Sequence, residues 1–167
     1  MARIKSKGLE EYINRLEKLG SMDNVTRVEK MSIYDGARVV ADAIDGGIET
    51  IPTVDKNAFG SATHLLNGLS AEQIQGLKTG LGIATMRQGN NGWDTLVSFG
   101  GYNSHKTEKY PNGQPNAMIA ASVESGTSFR AKNPFITKAV RNAKARAEAA
   151  MEATAENQFN QIMEGHN

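Results

Sequence analysis

The 167-residue sequence contains no cysteine, which excludes a disulfide framework and thiolate metal sites and fits folding in a reducing cytoplasm. No apolar run approaches the ~18 residues that a membrane span requires. The N-terminal stretch from Met1 to Lys7 is basic, but an amphipathic run follows it where a signal peptide would carry an apolar core. An excess of one charge is missing too. Nineteen Lys and Arg against 18 Asp and Glu leave a net charge of +1, so there is no global case for nucleic-acid binding.

Catalytic constellations are also missing. His64, His105 and His166 share no metal-ligand spacing and lie in polar or terminal segments, where solvent-facing imidazoles are expected. The Gly76–Gly82 stretch is superficially like a phosphate-binding loop. It lacks the Gly-Lys-Ser/Thr ending and no strand precedes it, so a helix C-terminus is the better reading. Lys78-Thr79-Gly80 matches a triplet of penicillin-recognising enzymes, yet the sequence holds no Ser-x-x-Lys nucleophile and no Gly-x-Ser-x-Gly elbow. The expectation is a protein that is not an enzyme and carries no cofactor and no metal.

What is present suffices for one domain. At 18.0 kDa, with 39% hydrophobic and 22% charged residues, the composition is that of a globular protein able to bury a sizeable core. Residues 8–19 place Leu9, Tyr12, Ile13, Leu16 and Leu19 at helical spacing, with Gly20 as the stop. A second helix is expected from about Asn24 to Asp45, with Val25, Val28, Ala37, Val40, Ala41 and Ile44 as its stripe and Gly46-Gly47 ending it. Gly36 within it is unfavourable by about 1 kcal/mol relative to Ala. The segment from Pro52 to Leu69 reads as loop. Ser70 and Gln73 form a capping box for a short helix carrying Ile74, Leu77 and Leu81.

Residues 86–92 have turn chemistry, and the alternation of Trp93, Thr95, Val97 and Phe99 with Asp94, Leu96 and Ser98 predicts one strand. The polar, Lys-rich stretch from Asn103 to Pro115 reads as a long exposed loop or hairpin tip. Residues 116–124 are compatible with a short helix or a strand. Asn133 as N-cap and Pro134 at the first helical position open a long Ala-rich helix reaching about Met163. Its seam is Ile136, Ala139, Val140, Ala143, Ala147, Met151, Phe159 and Ile162. At ~45 Å it exceeds what so small a core needs, so part of it is expected to pack on something else. The predicted class is α+β, with a small, mostly antiparallel sheet packed by N-terminal helices and the long C-terminal helix, as one domain over 1–167.

Two features stand out as candidate interfaces. On the last helix Lys138, Arg141, Lys144 and Arg146 precede Glu148, Glu152 and Glu156, an order that opposes the helix dipole. The bland reading is a solvated face with one i,i+4 pair, Lys144 to Glu148, in the less favourable orientation. The alternative is that neighbouring copies align basic on acidic halves, or that the basic half faces DNA. The second feature is the loop holding His105, Lys106 and Lys109, either a free tip or a segment that orders on a partner.

Several segments, in consistent order, resemble the phage tail-component family typified by the gene-ten product of the Hong Kong-type lambdoid phages. They are GLEEYINRL from Gly8 to Leu16, GLGIATM from Gly80 to Met86 and VSFGGYN from Val97 to Asn103. The strongest is IAASVESGTSFRAKNPFITKA from Ile119 to Ala139. Its Glu124, Gly126, Thr127, Pro134 and Phe135 match the family pattern and read as a fold signature. The Ile51–Lys56 region is only a partial match to the family's Pro-x-x-Thr-Gly-x-Leu segment, so no role is assigned there.

The resemblance implies a virion structural protein of a long-tailed bacteriophage, a tail-completion, minor tail or neck subunit. Copies of the chain would form or complete a ring, a hexamer in the virion, at the head-proximal tail end. Head–tail joining would follow, with DNA as cargo in the lumen. Implied partners are the head-completion protein, the tail terminator and the tail tube, with no membrane. Implied locations are the virion and, during assembly, the host cytoplasm. Competing readings are a small DNA-binding module on the Lys138–Arg146 face and a tail-assembly factor absent from virions.

Overall fold

The computed structural model describes residues 7–90, 92–104, 106 and 108–164. Residues 1–6, His105 and His166 therefore lie outside the described residues. The chain forms α1 (Lys7–Leu19), α2 (Met22–Glu49), α3 (Ala71–Gly80), β1 (Leu81–Ile83), β2 (Arg87–Gly89), β3 (Gly92–Asp94), β4 (Val97–Phe99), α4 (Asn116–Ser125) and α5 (Phe135–Glu164). The α+β class holds, with the strands arranged as two short antiparallel pairs, β1–β4 and β2–β3.

The helix α2 extends past both expected ends. Ser21 caps it at the N-terminus, accepting from the Asn24 N–H. At the other end the helix runs through Gly46-Gly47 to Glu49, with Gly47 lying close against α5. A Cβ on Gly47 would lie 3.3 Å from the Phe135 carbonyl oxygen. Gly36 has the same explanation, since a Cβ there would meet Met151 Cγ at 2.6 Å. The helical cost of these glycines is offset by packing that a side chain would prevent. On α5 the facing residues are small as well: Ala139, Ala143 and Ala147 recur every fourth position and are buried.

Gly47 faces Phe135 and Ala139, Gly36 faces Ala147 and Met151, and Asp35 accepts from Thr154 Oγ1 at 2.7 Å. The two long helices are thus antiparallel partners over most of their lengths. Within the chain, α2 supplies much of the surface on which α5 packs. Val140 and Phe159, read as part of the seam, are nonetheless exposed.

The expected single strand over 93–99 is broken into β3 and β4. Register explains why. Ile83 pairs with Val97 and Arg87 with Asp94, so residues 84–86 oppose only 95–96. One extra residue on the first arm is a bulge, which bends the hairpin. Thr95 Oγ1 donates to the Ala84 carbonyl at 2.6 Å and Ala84 N–H donates to Leu96 at 2.8 Å, so the bend is bonded through. The β1–β4 half packs in the core, where Phe99 and Phe135 rings lie 6.3 Å apart. The β2–β3 tip lies on α2: Trp93 N–H donates to Glu29 Oε1 at 3.0 Å and Lys30 Nζ sits 3.6 Å from the indole centroid.

The main core gathers Ile44, Ile48 and Ile51 with Leu69, Leu77, Ile119, Val123 and Phe135. It sits at one end of the α2–α5 pair, roofed by α3, α4 and β1–β4. Ser70 caps α3 with the expected box. Leu81, assigned to that helix from its spacing, instead opens β1, where it pairs with Phe99.

Candidate functional site

The signature residues converge on the start of α5. Asn133 and Pro134 were expected as N-cap and first helical residue, but the helix begins at Phe135. The Glu124 carboxylate, carried at the end of α4, supplies the cap instead. It accepts from Ile136 N–H at 2.8 Å and Thr137 N–H at 3.1 Å, and also from the Thr137 hydroxyl. A carboxylate at this place satisfies orphan donors and meets the positive end of the helix dipole. Phe135 is 2% exposed and anchors the first turn in the core.

Between these residues the chain must reverse. Gly126 does so at φ +74°, a conformation that a side chain disfavours, and Lys132 lies close behind it. Thr127 holds the following turn, its hydroxyl accepting from Phe129 N–H at 3.3 Å and its N–H donating to the Arg130 carbonyl at 2.9 Å. Glu124, Gly126, Thr127 and Phe135 therefore have structural work in one corner of the fold.

The candidate interface residues lie elsewhere. Lys138, Arg141, Lys144, Arg146, Glu148 and Glu152 are all exposed on α5, with Glu152 at the rim of its contact with α2. Lys144 and Glu148 approach to 3.8 Å, both in solvent, where such a pair contributes little. In the loop, Lys106 and Lys109 are exposed, with Lys109 Nζ 5.6 Å from the Tyr110 ring centroid. The loop is tied at its base: Asn103 N–H and Asn103 Nδ2 both donate to the Gln114 carbonyl, at 3.1 and 3.0 Å. His64 is exposed in a turn with Ser61.

Two features escaped the sequence reading. Arg130 is buried at 8% exposure beside a cavity of about 380 Å³ lined by Val54, Phe59, Leu66, Gln73 and Phe129. Its guanidinium donates to the Gly68 carbonyl, its Nε has no partner, and burial pushes its pKa below the usual arginine range. No carboxylate pairs with it among the described residues, and the arrangement offers no acid–base couple. Its one bonded partner joins the 52–69 loop to the turn before α5, which is a structural task.

The second is an apolar surface at the far end of the α2–α5 pair. Tyr12, Ile13 and Leu16 of α1, Met22 and Val25 of α2 and Phe159 of α5 are all exposed there. Val25, Val28, Ile33, Met151, Ala155 and Phe159 line an open groove of about 420 Å³ between the two long helices. The sequence carried the signal, a strongly periodic α1, but periodicity alone reads as core. Exposed apolar surface of this kind marks interaction sites.

Comparison of the chain with family models, with curated proteins and with solved structures returned no match.

Proposed function

We propose that this chain is a structural subunit of a long-tailed bacteriophage. Its copies form or complete the ring at the head-proximal end of the tail, where DNA passes through the lumen. The observation that carries a structural role is the apolar end of the molecule, where Tyr12, Ile13, Leu16, Met22, Val25 and Phe159 face water on a single chain. A subunit that works inside an assembly has a use for such a surface, and a free monomer does not. The phage assignment comes from the family resemblance, and the capping of α5 by Glu124 gives its signature residues a shared physical reason. In this reading the outward charges of α5 and the 103–115 loop are secondary contacts to neighbouring copies or neck proteins.

The competing DNA-binding reading has one observation in its favour, the exposed Lys138, Arg141, Lys144 and Arg146 on one helix half. It makes a different prediction, duplex affinity that falls steeply with salt. The deciding experiment is electron microscopy of lysates from phage lacking this gene. Full heads beside separate tails support the neck assignment. Normally joined virions remove it, and with it the role in head–tail joining.

A further inference from the structure

We infer that α1 of one copy seats its apolar ridge in the α2–α5 groove of the next copy, making a head-to-tail contact. The inference rests on the structural-subunit reading and names the surface that reading leaves open. The ridge is Tyr12, Ile13 and Leu16, at 51%, 44% and 42% exposure on a single face of a 13-residue helix. The groove is flanked by Val25 and Val28 on one side and by Met151, Ala155 and Phe159 on the other. It spans two turns of each helix, roughly 12 Å at 1.5 Å per residue, which a helix the length of α1 covers.

Both surfaces belong to the same chain, one a convex helix ridge and the other a concave groove. A ridge on one copy therefore leaves its own groove free for a third copy. That is the geometry of a heterologous interface, which closes into a ring when the rotation permits. Charge agrees with the pairing. Glu152 lines the groove and Glu156 follows it one turn later, while Arg15 lies beside the ridge, next to Leu16 and one turn from Tyr12. None of these three charges makes an ion pair within the chain among the described residues. A second copy entering the groove brings Arg15 to the acidic rim of α5.

The cysteine-free sequence permits a direct test. Full-length Ile13→Cys and Ala155→Cys variants are prepared separately, mixed at high concentration and oxidised. The contact predicts a disulfide-linked dimer in the mixture and none from either variant alone. Arg15→Glu in the first variant removes the cross-link, and adding Glu152→Arg to the second restores it. Dimers from Ile13→Cys alone, which show a symmetric α1–α1 contact, overturn the inference, as does a mixture that stays monomeric. Failure of the cross-link with separated heads and tails in gene-deleted phage rejects this contact alone. Cross-linking together with normally joined virions rejects the neck assignment and leaves the contact standing.

Discussion

Where α5 begins, Ile44, Ile48, Leu77, Ile119 and Phe135 are closed off from water, whereas at its other end Tyr12, Leu16, Met22, Val25 and Phe159 face it. The two ends share the same pair of long helices and similar apolar side chains. They differ in cover. The closed end has α3, α4 and β1–β4 stacked on the pair, while among the described residues α1 and β3 lie against the open end. Stability should reside in the closed end, where transfer from water is complete and cavities cannot collapse. The open end leaves Tyr12, Met22 and Val25 in water while Val28 and Ile162 are buried there.

The largest effect should come from the closed end. Phe135→Ala removes a fully buried ring and should lower unfolding stability by about 3–5 kcal/mol, read from the midpoint of a denaturant titration. An unchanged midpoint would mean that the core does not depend on this anchor. Glu124→Ala strips the cap from α5 and should cost about 1–2 kcal/mol by the same measurement, with Glu124→Gln losing less because an amide oxygen still accepts. Gly126→Ala forces a Cβ into a positive-φ turn and should cost about 1–2 kcal/mol. A neutral result there would say that the turn rearranges freely.

Leu16→Asp at the open end should cost monomer stability less than Phe135→Ala, about 1 kcal/mol, since Leu16 is already 42% exposed to water. A loss comparable to that of Phe135→Ala would erase the distinction between the two ends. In proposed ring assembly the order reverses: Leu16→Asp should abolish it and Glu124→Gln should leave it intact. Reversing Lys138, Arg141 and Lys144 to Glu tests the charged face separately, as a block to assembly in a folded monomer.

The smallest effect concerns the exposed pair joining α2 and α3. Lys78 Nζ donates to Glu49 Oε1 at 2.7 Å, which holds the Glu49 carboxyl below its ordinary 4.5 and the Lys78 ammonium above its ordinary 10.5. A depressed carboxyl contributes stability above its unfolded pKa and loses it as pH falls through the folded value. The raised ammonium contributes below its unfolded pKa and loses that as pH rises through its folded value. The melting temperature of Glu49→Gln should therefore lie slightly below wild type at neutral pH and converge with it in acid. A difference that persists at low pH would indicate a packing effect.

Much of the fold was legible in local sequence. Ser70 and Gln73 announced α3, the alternation from Trp93 to Phe99 announced extended chain there, and the unbroken Ala-rich stretch announced α5. The misplacements were tertiary in origin. Gly46-Gly47 looked like a stop signal, but the helix continues through both, with Gly47 against Phe135 and Ala139 of α5, and helix propensity yields to packing. The strand broke because a bulge depends on which residue the partner strand places opposite, information that one strand alone does not contain. Of the candidate sites, the charges on α5 were legible as an outward face, whereas α1 and Val25 were indistinguishable from core.

The sequence alone determined the class of fold, the absence of thiol chemistry and the order of the main elements, because these follow from composition, side-chain period and capping groups. Tertiary structure alone decided that Glu124 caps a helix following it in the chain, that Arg130 is buried, and which apolar stripe is covered. Burial is a property of what lies opposite a residue. A periodic pattern shows that a face will seek cover, and only the packed chain shows whether that cover comes from within it.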